Sequence, residues 1–288
     1  MGKFSKTLEK ANQHKNVQNN AESWLEPETV NLPTASITDT LTAGTSLSSD
    51  SPVGKWDERL FKAINEDSAI PEIFKLLRSK ILHPKAGSKN IKTVMVTSAV
   101  PREGKSFITA NLGISLAQGL DQHSLLVDCD LRKPTLSRLL GLNQMYGLVD
   151  YLKEDMDLPE LITKTSMNKL SILPSGRPPL NPSELLSSSR MKDLVTELSR
   201  RYDDRIIIFD SPPVMVAAES GVLAGLVDTI ILVVREGLAQ KTEIQKTIDA
   251  IGKDKILGLV YNDQTEHFLN KVYSTSYGYY QHTEADNH

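Results

Sequence analysis

Only one cysteine, Cys129, occurs in the 288 residues, so no intrachain disulfide can form and a reducing compartment is the natural setting. No apolar stretch approaches the roughly 18 residues of a membrane span. The opening "MGKFSKTLEKANQHKN" has no apolar core of the kind a secretory signal carries. Its Met-Gly start lacks the Ser or Thr that N-myristoylation needs, because Lys6 stands there, so no lipid anchor is expected. An excess of one charge is missing too: the formal net charge is -3, which provides no general attraction to nucleic acid or anionic lipid. His267 and His282 are too far apart in a polar tail to argue for a metal site. These absences point to a soluble cytoplasmic protein without a nucleic-acid partner.

What is present is unevenly spread. Hydrophobic residues make up 39% of the chain, enough for a core, but the first 55 residues hold few of them. "TASITDTLTAGTSLSSDSP" cannot bury enough surface to offset chain entropy, so residues 1–55 read as a disordered polar arm, with at most a short helix over 4–13. The pattern changes at Trp56. In "SAIPEIFKLLRSKIL", Ile70, Ile73, Phe74, Leu77 and Ile81 fall at helical spacing, with Ser68 as N-cap and Pro84 beyond the end, which predicts a helix over 68–83.

Short β-branched runs then alternate with longer amphipathic stretches. Strands are expected over 92–99, 124–130, 169–175, 205–211, 228–234 and 255–261, and helices over 105–119, 134–140, 182–201, 217–226 and 239–252. Continuous apolar strands fit a parallel sheet covered on both faces. The fold class is therefore α/β, a doubly wound, mainly parallel sheet over 56–264 with its site at the carboxyl ends of the strands, followed by a flexible tail over 265–288.

"AVPREGKS", residues 99–106, lies between a strand and a helix with the spacing A-x-x-x-x-G-K-S. Gly104 lets the backbone close round a phosphate, Lys105 reaches the β and γ phosphates, and the Ser106 hydroxyl suits Mg²⁺. The segment Arg102, Glu103, Gly104, Lys105, Ser106 and Phe107 is the expected nucleotide-binding stretch. "LLVDCDLRKP" ends a strand with Asp128 and Asp130 on one side of the extended chain, and "IIIFDSPP" ends another with Asp210. A parallel sheet brings these carboxylates beside the P-loop, where Mg²⁺ and nucleotide phosphates are the natural occupants. Cys129 points the other way, into packing. Tyr151 in "GLVDYLKED" reads as packing, and "SGRPPLNP" as a loop shaped by proline.

Taken together, these three motifs resemble the Walker A, A′ and B motifs of the bacterial tyrosine kinases, the autokinases of exopolysaccharide and capsule synthesis. The likeness runs from about Trp56 to the C-terminus and includes "LPSGRPPLNPSELLSSSRM" and the terminal "VYSTSYGYYQH". It implies ATP and Mg²⁺ as cofactors, with Lys105 and Ser106 on the nucleotide and its metal, Asp128 and Asp210 organising the metal, and Asp128 or Asp130 accepting the tyrosine proton. It further implies Tyr273, Tyr277, Tyr279 and Tyr280 as phosphoacceptors, in a ring-like homo-oligomer where each tail enters the neighbour's site. Other implied partners are a membrane polysaccharide co-polymerase-type activator and a tyrosine phosphatase. Phosphorylation would crowd negative charge in the tail and is expected to dissociate the ring.

The chain departs from the family pattern in two places. The oligomerisation helix of the family carries E-x-x-R-x-x-R, whereas Glu72, Lys75 and Arg78 stand here, and lysine lacks the bidentate fork of arginine. Arg102 replaces a frequent glycine, and phosphate contact and solvent exposure both stay open for it. Arg132 has two candidate roles, holding phosphate or a neighbouring subunit. Asn262, ending "LVYN", is read either as an adenine contact, as in related P-loop ATPases, or as a turn cap. Two other functions compete with the kinase: an ATPase of the partition and septum-placement type, and a nucleotide-dependent regulatory partner of a polysaccharide export complex. The first carries a signature lysine where Val100 stands here.

Overall fold

The computed structural model describes residues 55–60, 70–84, 87, 89–142, 145–201 and 204–263. Nearly all of the expected polar arm, the helix over 4–13, Ser68, His267, His282 and the tail with its four tyrosines lie outside the described residues. In chain order, α1 (Ile70–Leu82) precedes β1 (Thr93–Ser98), α2 (Lys105–Ala117) and β2 (His123–Asp128). Three short helices follow, α3 (Leu136–Leu139), α4 (Leu148–Leu152) and α5 (Leu158–Leu161), then β3 (Thr163–Lys164) and β4 (Leu170–Leu173). The remainder is α6 (Pro182–Leu186), α7 (Ser189–Arg201), β5 (Arg205–Asp210), α8 (Ala218–Leu226), β6 (Thr229–Arg235), α9 (Lys241–Ile251) and β7 (Ile256–Asn262).

All of β1, and all but the first residue of β2 and β5, are buried, because helices cover both faces of the sheet. Alternate side chains feed two core layers. Val94, Val96, Leu126 and Ile208 pack with Ile108, Leu112 and Leu116 of α2 and Phe74 and Ile81 of α1. Met95, Leu125, Val127, Ile207 and Phe209 pack with Met191, Leu194 and Leu198 of α7. Each such side chain contributes about 1.5–3 kcal/mol by leaving water.

The strand order is β3-β4-β2-β5-β1-β6-β7, parallel throughout except for the β3–β4 pair. From β1 the chain crosses past the place β5 will fill to reach β2, and later returns to the other side of β1 for β6. That reversal opens a crevice at the carboxyl ends of β1, β2 and β5. In the same register Asp128 of β2 lies opposite Asp210 of β5.

Two expectations need correction. The helix expected over 182–201 is two helices, α6 and α7. Ser188 separates them: its hydroxyl donates to Leu185 O at 2.7 Å and accepts from Met191 N at 3.2 Å, acting as the N-cap of α7. The added strand β3 has only two residues, too short for any periodic signal, and pairs antiparallel with the edge of β4.

The "PSG" turn after β4 is locked against the start of α4. Leu148 N donates to Pro174 O at 2.7 Å and Val149 N to Ser175 O at 3.0 Å. A Cβ on Gly147 would fall 2.1 Å from Pro174 O and 2.5 Å from Gly176 N, both backbone atoms that cannot step aside. Gly147→Ala should therefore destabilise the domain by about 1–3 kcal/mol, lowering Tm by roughly 3–10 °C in a thermal melt. An unchanged Tm would refute this account of the turn.

Candidate active site

The P-loop links β1 to α2. Gly104 takes φ 94° and ψ 16°, the left-handed conformation that glycine adopts without strain. A Cβ there would also meet Asn262 Nδ2 at 2.2 Å. No side chain caps the N-terminus of α2, which leaves its first amides to an anion. Arg102 has φ 69°, so glycine is favoured at this position for backbone reasons, and the Arg102 side chain stands exposed on the rim.

Buried Glu103 braces the loop. Its carboxylate accepts from Val100 N at 2.9 Å and Arg235 N at 3.3 Å, and its carbonyl accepts from Asn262 Nδ2 at 2.8 Å. Arg235 also donates from Nη1 to Arg102 O at 3.4 Å and from Nε to Asp263 Oδ2 at 2.8 Å. The ends of β6 and β7 thus hold the P-loop in shape. Lys105 is 7% exposed and lies close enough to Asp210 and Asp130 for its charge to oppose the upward shift of both carboxyls.

At the ends of β2 and β5, Asp128 and Asp210 are fully buried side by side. Oδ1 of Asp128 accepts from Asp130 N at 3.3 Å, and Oδ1 of Asp210 accepts from Thr109 Oγ1 at 3.4 Å. The Ser106 hydroxyl lies near enough to Asp210 to favour its charged form. Among the described residues, Oδ2 of each carboxylate has no hydrogen-bond partner. Burial pushes the Asp210 carboxyl up to about 7, against the lowering influence of the Ser106 hydroxyl and the charge of Lys105. Burial, reinforced by the charges of Asp210 and Asp130, pushes Asp128 well above the usual carboxylate range. Asp130, less buried, is raised by desolvation and opposed by Lys133 and Lys105. Cys129 is buried as expected, its thiol pushed far up by burial and its amide donating to Asp210 O at 2.8 Å.

Orphaned carboxylate oxygens in a dry site call for a cation beyond Lys105. Ser106, Asp128 and Asp210 fit a hard divalent ion. Among the described residues, no group of three or more His, Cys, Asp or Glu side chains converges, so an ion here would take the rest of its shell from water or phosphate oxygens.

Other sequence candidates sit elsewhere. Arg132 donates from Nε to the buried Glu219 carboxylate at 3.1 Å and from Nη2 to Ser183 Oγ at 2.9 Å, tying the loop after β2 to α6 and α8. Tyr151 is buried, with Arg190 stacked 4.6 Å over its ring. On α1, Lys75 pairs with Glu72 at 2.6 Å on the exposed face, while Arg78 donates to Ser115 O of α2 at 2.7 Å.

The cleft above the P-loop encloses about 750 Å³. It joins Arg102, Gly104, Lys105, Ser106, Phe107, Asp130 and Asn262 from the sequence candidates. It also includes Arg59, Lys133, Thr135 and Arg235, which sequence reasoning did not single out as site residues. Lys133 had a signal, its place in "LRKP". Arg59 and Arg235 had none, since only the fold brings them here.

A doubly wound sheet with this loop and these strand-end aspartates defines a P-loop nucleotide-binding protein. No family model matches the chain. Tyrosine-protein kinase YwqD of Bacillus subtilis (strain 168) is 37% identical over 194 residues, which is 67% of this chain and 78% of YwqD. Tyrosine-protein kinase wzc of Salmonella typhimurium is 28% identical over 213 residues, 73% of this chain but only 29% of that longer relative. The crystal structure of the chimerical protein CapA2B2 superposes with a TM-score of 0.65 at 31% identity, covering 74% of this chain and 93% of the other. The chain belongs to the bacterial tyrosine-protein kinases. Likeness to the septum site-determining protein MinD of Pyrococcus horikoshii, with a TM-score of 0.51 at 23% identity, concerns the fold alone. Among the described residues, no helix is long and apolar enough to cross a membrane.

The raised carboxyls carry a sign for stability. Native Asp210 holds its proton to about pH 7, whereas the unfolded side chain releases it near its ordinary value of 3.8. The native state therefore binds more protons in that window, and stability falls as pH rises from about 4 to 7. In metal-free protein, Asp210→Asn should lose less Tm than wild type between pH 5 and 8. Parallel Tm–pH curves would contradict the assignment.

Proposed function

We infer that this kinase uses ATP and Mg²⁺ to phosphorylate Tyr273, Tyr277, Tyr279 and Tyr280 of its own chain, and that this autophosphorylation regulates the synthesis or export of an exopolysaccharide or capsule. The observation that carries the reading is the pair of unpartnered carboxylate oxygens, Asp128 Oδ2 and Asp210 Oδ2, beside a P-loop whose lysine is nearly buried. Lys105 and the first amides of α2 bind the β and γ phosphates. Ser106, Asp128 and Asp210 would hold the metal, which when bound would neutralise phosphate charge.

Asp130 lines the cleft and Asp128 does not, so Asp130 is the better placed of the two to receive the phenol proton. A phenol with a pKa near ~10 gives up that proton only as its oxygen bonds to the γ-phosphorus and the bond to the ADP oxygen breaks. The Asn262 amide nitrogen is committed to Glu103, which leaves its carbonyl oxygen for the 6-amino group of adenine. The partners in this reading are a second copy of the chain, met through the α1 residues Glu72, Lys75 and Arg78, a co-polymerase-type membrane activator, and a tyrosine phosphatase.

Incubation with Mg²⁺ and ATP, followed by peptide mapping, tests the proposal. Phosphotyrosine should appear at the four tail positions and be absent in Lys105→Met. ATP hydrolysis without phosphotyrosine would favour an ATPase of the partition type instead.

A further inference from the structure

Five cationic side chains line the cleft: Arg59, Arg102, Lys105, Lys133 and Arg235. Four of them are accounted for by the P-loop, by its brace or by the loop after β2. Arg59 comes from residues 55–60, N-terminal to α1, and that segment is anchored. Trp56 and Leu60 are 3% and 0% exposed and join the core layer on the α1–α2 face. Asp57 N donates to Leu139 O at 2.9 Å, and Leu139 is itself part of the cleft wall.

The guanidinium, itself largely exposed, is paired with Asp57. Asp57 accepts from the Arg59 amide at 2.9 Å, and its two carboxylate oxygens accept from Nε and Nη2, each at 2.9 Å. This fork uses two of the five guanidinium N–H groups, leaving both hydrogens of Nη1 and one of Nη2 to bond something else. An exposed ion pair adds little stability by itself. Its effect is to pre-orient an arginine that would otherwise lose rotamer freedom on binding a ligand. The cleft already offers an anion site at Gly104 and Lys105, and a guanidinium recognises phosphate oxygens through paired hydrogen bonds.

We propose that Arg59 binds the phosphate chain of the nucleotide, donating from its free N–H groups to a phosphate oxygen, with Asp57 as the positioning residue that orients its guanidinium. This assignment rests on the nucleotide reading of the P-loop. A phosphorylated tail tyrosine would offer the same chemistry, so the test separates the two sources.

ATP binding is measured by calorimetry with Mg²⁺, using the full chain with Tyr273, Tyr277, Tyr279 and Tyr280 changed to Phe so that no phosphotyrosine forms there. In this background Arg59→Ala should raise the Kd for ATP about tenfold, the loss of one charge-assisted hydrogen bond. Its melting temperature should be unchanged. Arg59→Lys should recover part of the affinity, and Lys192→Ala, which removes a charge from the exposed face of α7, should leave Kd unchanged. A Kd in Arg59→Ala within twofold of the parent overturns the proposal. A Kd rise matched by a fall in melting temperature that Arg59→Lys shares marks a structural role and overturns it as well. Normal ATP affinity with altered release of the phosphorylated tail, measured in the tyrosine-bearing chain, would reassign Arg59 to phosphotyrosine. Failure of the parent chain to bind ATP would sink both this inference and the nucleotide reading beneath it.

Discussion

Two carboxylates buried at the ends of adjacent strands repel one another, and Asp128 and Asp210 are held in that position by the sheet itself. Parallel pairing of β2 with β5 sets them opposite each other in register. The amide of Cys129, donating to Asp210 O, fixes that register where the ladder ends. A buried charge without a full set of partners costs several kcal/mol, and one lysine offsets only part of it. In the proposed reading a cation and nucleotide phosphates share that charge, which makes the arrangement tolerable. Stability has been given up at the place where chemistry needs an electrostatic demand.

The surrounding structure holds that demand in place. Glu103, Arg235 and Asn262 tie the P-loop to the ends of β6 and β7, so the loop keeps its left-handed turns at Arg102 and Gly104. On the far side of β5, Arg132 ties the loop after Asp130 to Glu219 and Ser183. The aspartates therefore sit between two rigid supports, one reaching each flank of the sheet. The N-terminal segment adds a third element, since Trp56 and Leu60 bring Arg59 to the mouth of the same cleft.

Much of this was legible in the sequence because the signals are local. The P-loop spacing and the strand-end aspartates each lie within ten residues, and fully buried strands write themselves as unbroken apolar runs. The break at Ser188 was less visible, because a serine in a helical pattern reads as neutral until its hydroxyl is seen capping the next helix. Arg59, Arg235 and Asp263 were not legible at all. Their roles depend on contacts between segments distant in sequence, and no periodicity encodes such a meeting. Arg132 shows the same limit from the other side: its position in the motif suggested phosphate or a neighbouring subunit, while its partner Glu219 is supplied by α8.

Asp128 and Asp210 are proposed to be buried with unpartnered oxygens because they complete a metal–nucleotide site. The most direct measurement is the Tm shift produced by ADP with and without Mg²⁺, in the wild-type chain and in Asp128→Asn/Asp210→Asn. In the wild type, Mg²⁺ should add several degrees to the shift from ADP alone, as expected when a ligand binds only the folded state. In the double variant Mg²⁺ should add nothing. An equal Mg²⁺ increment in both proteins would contradict the account, because the metal would then be held without the two carboxylates.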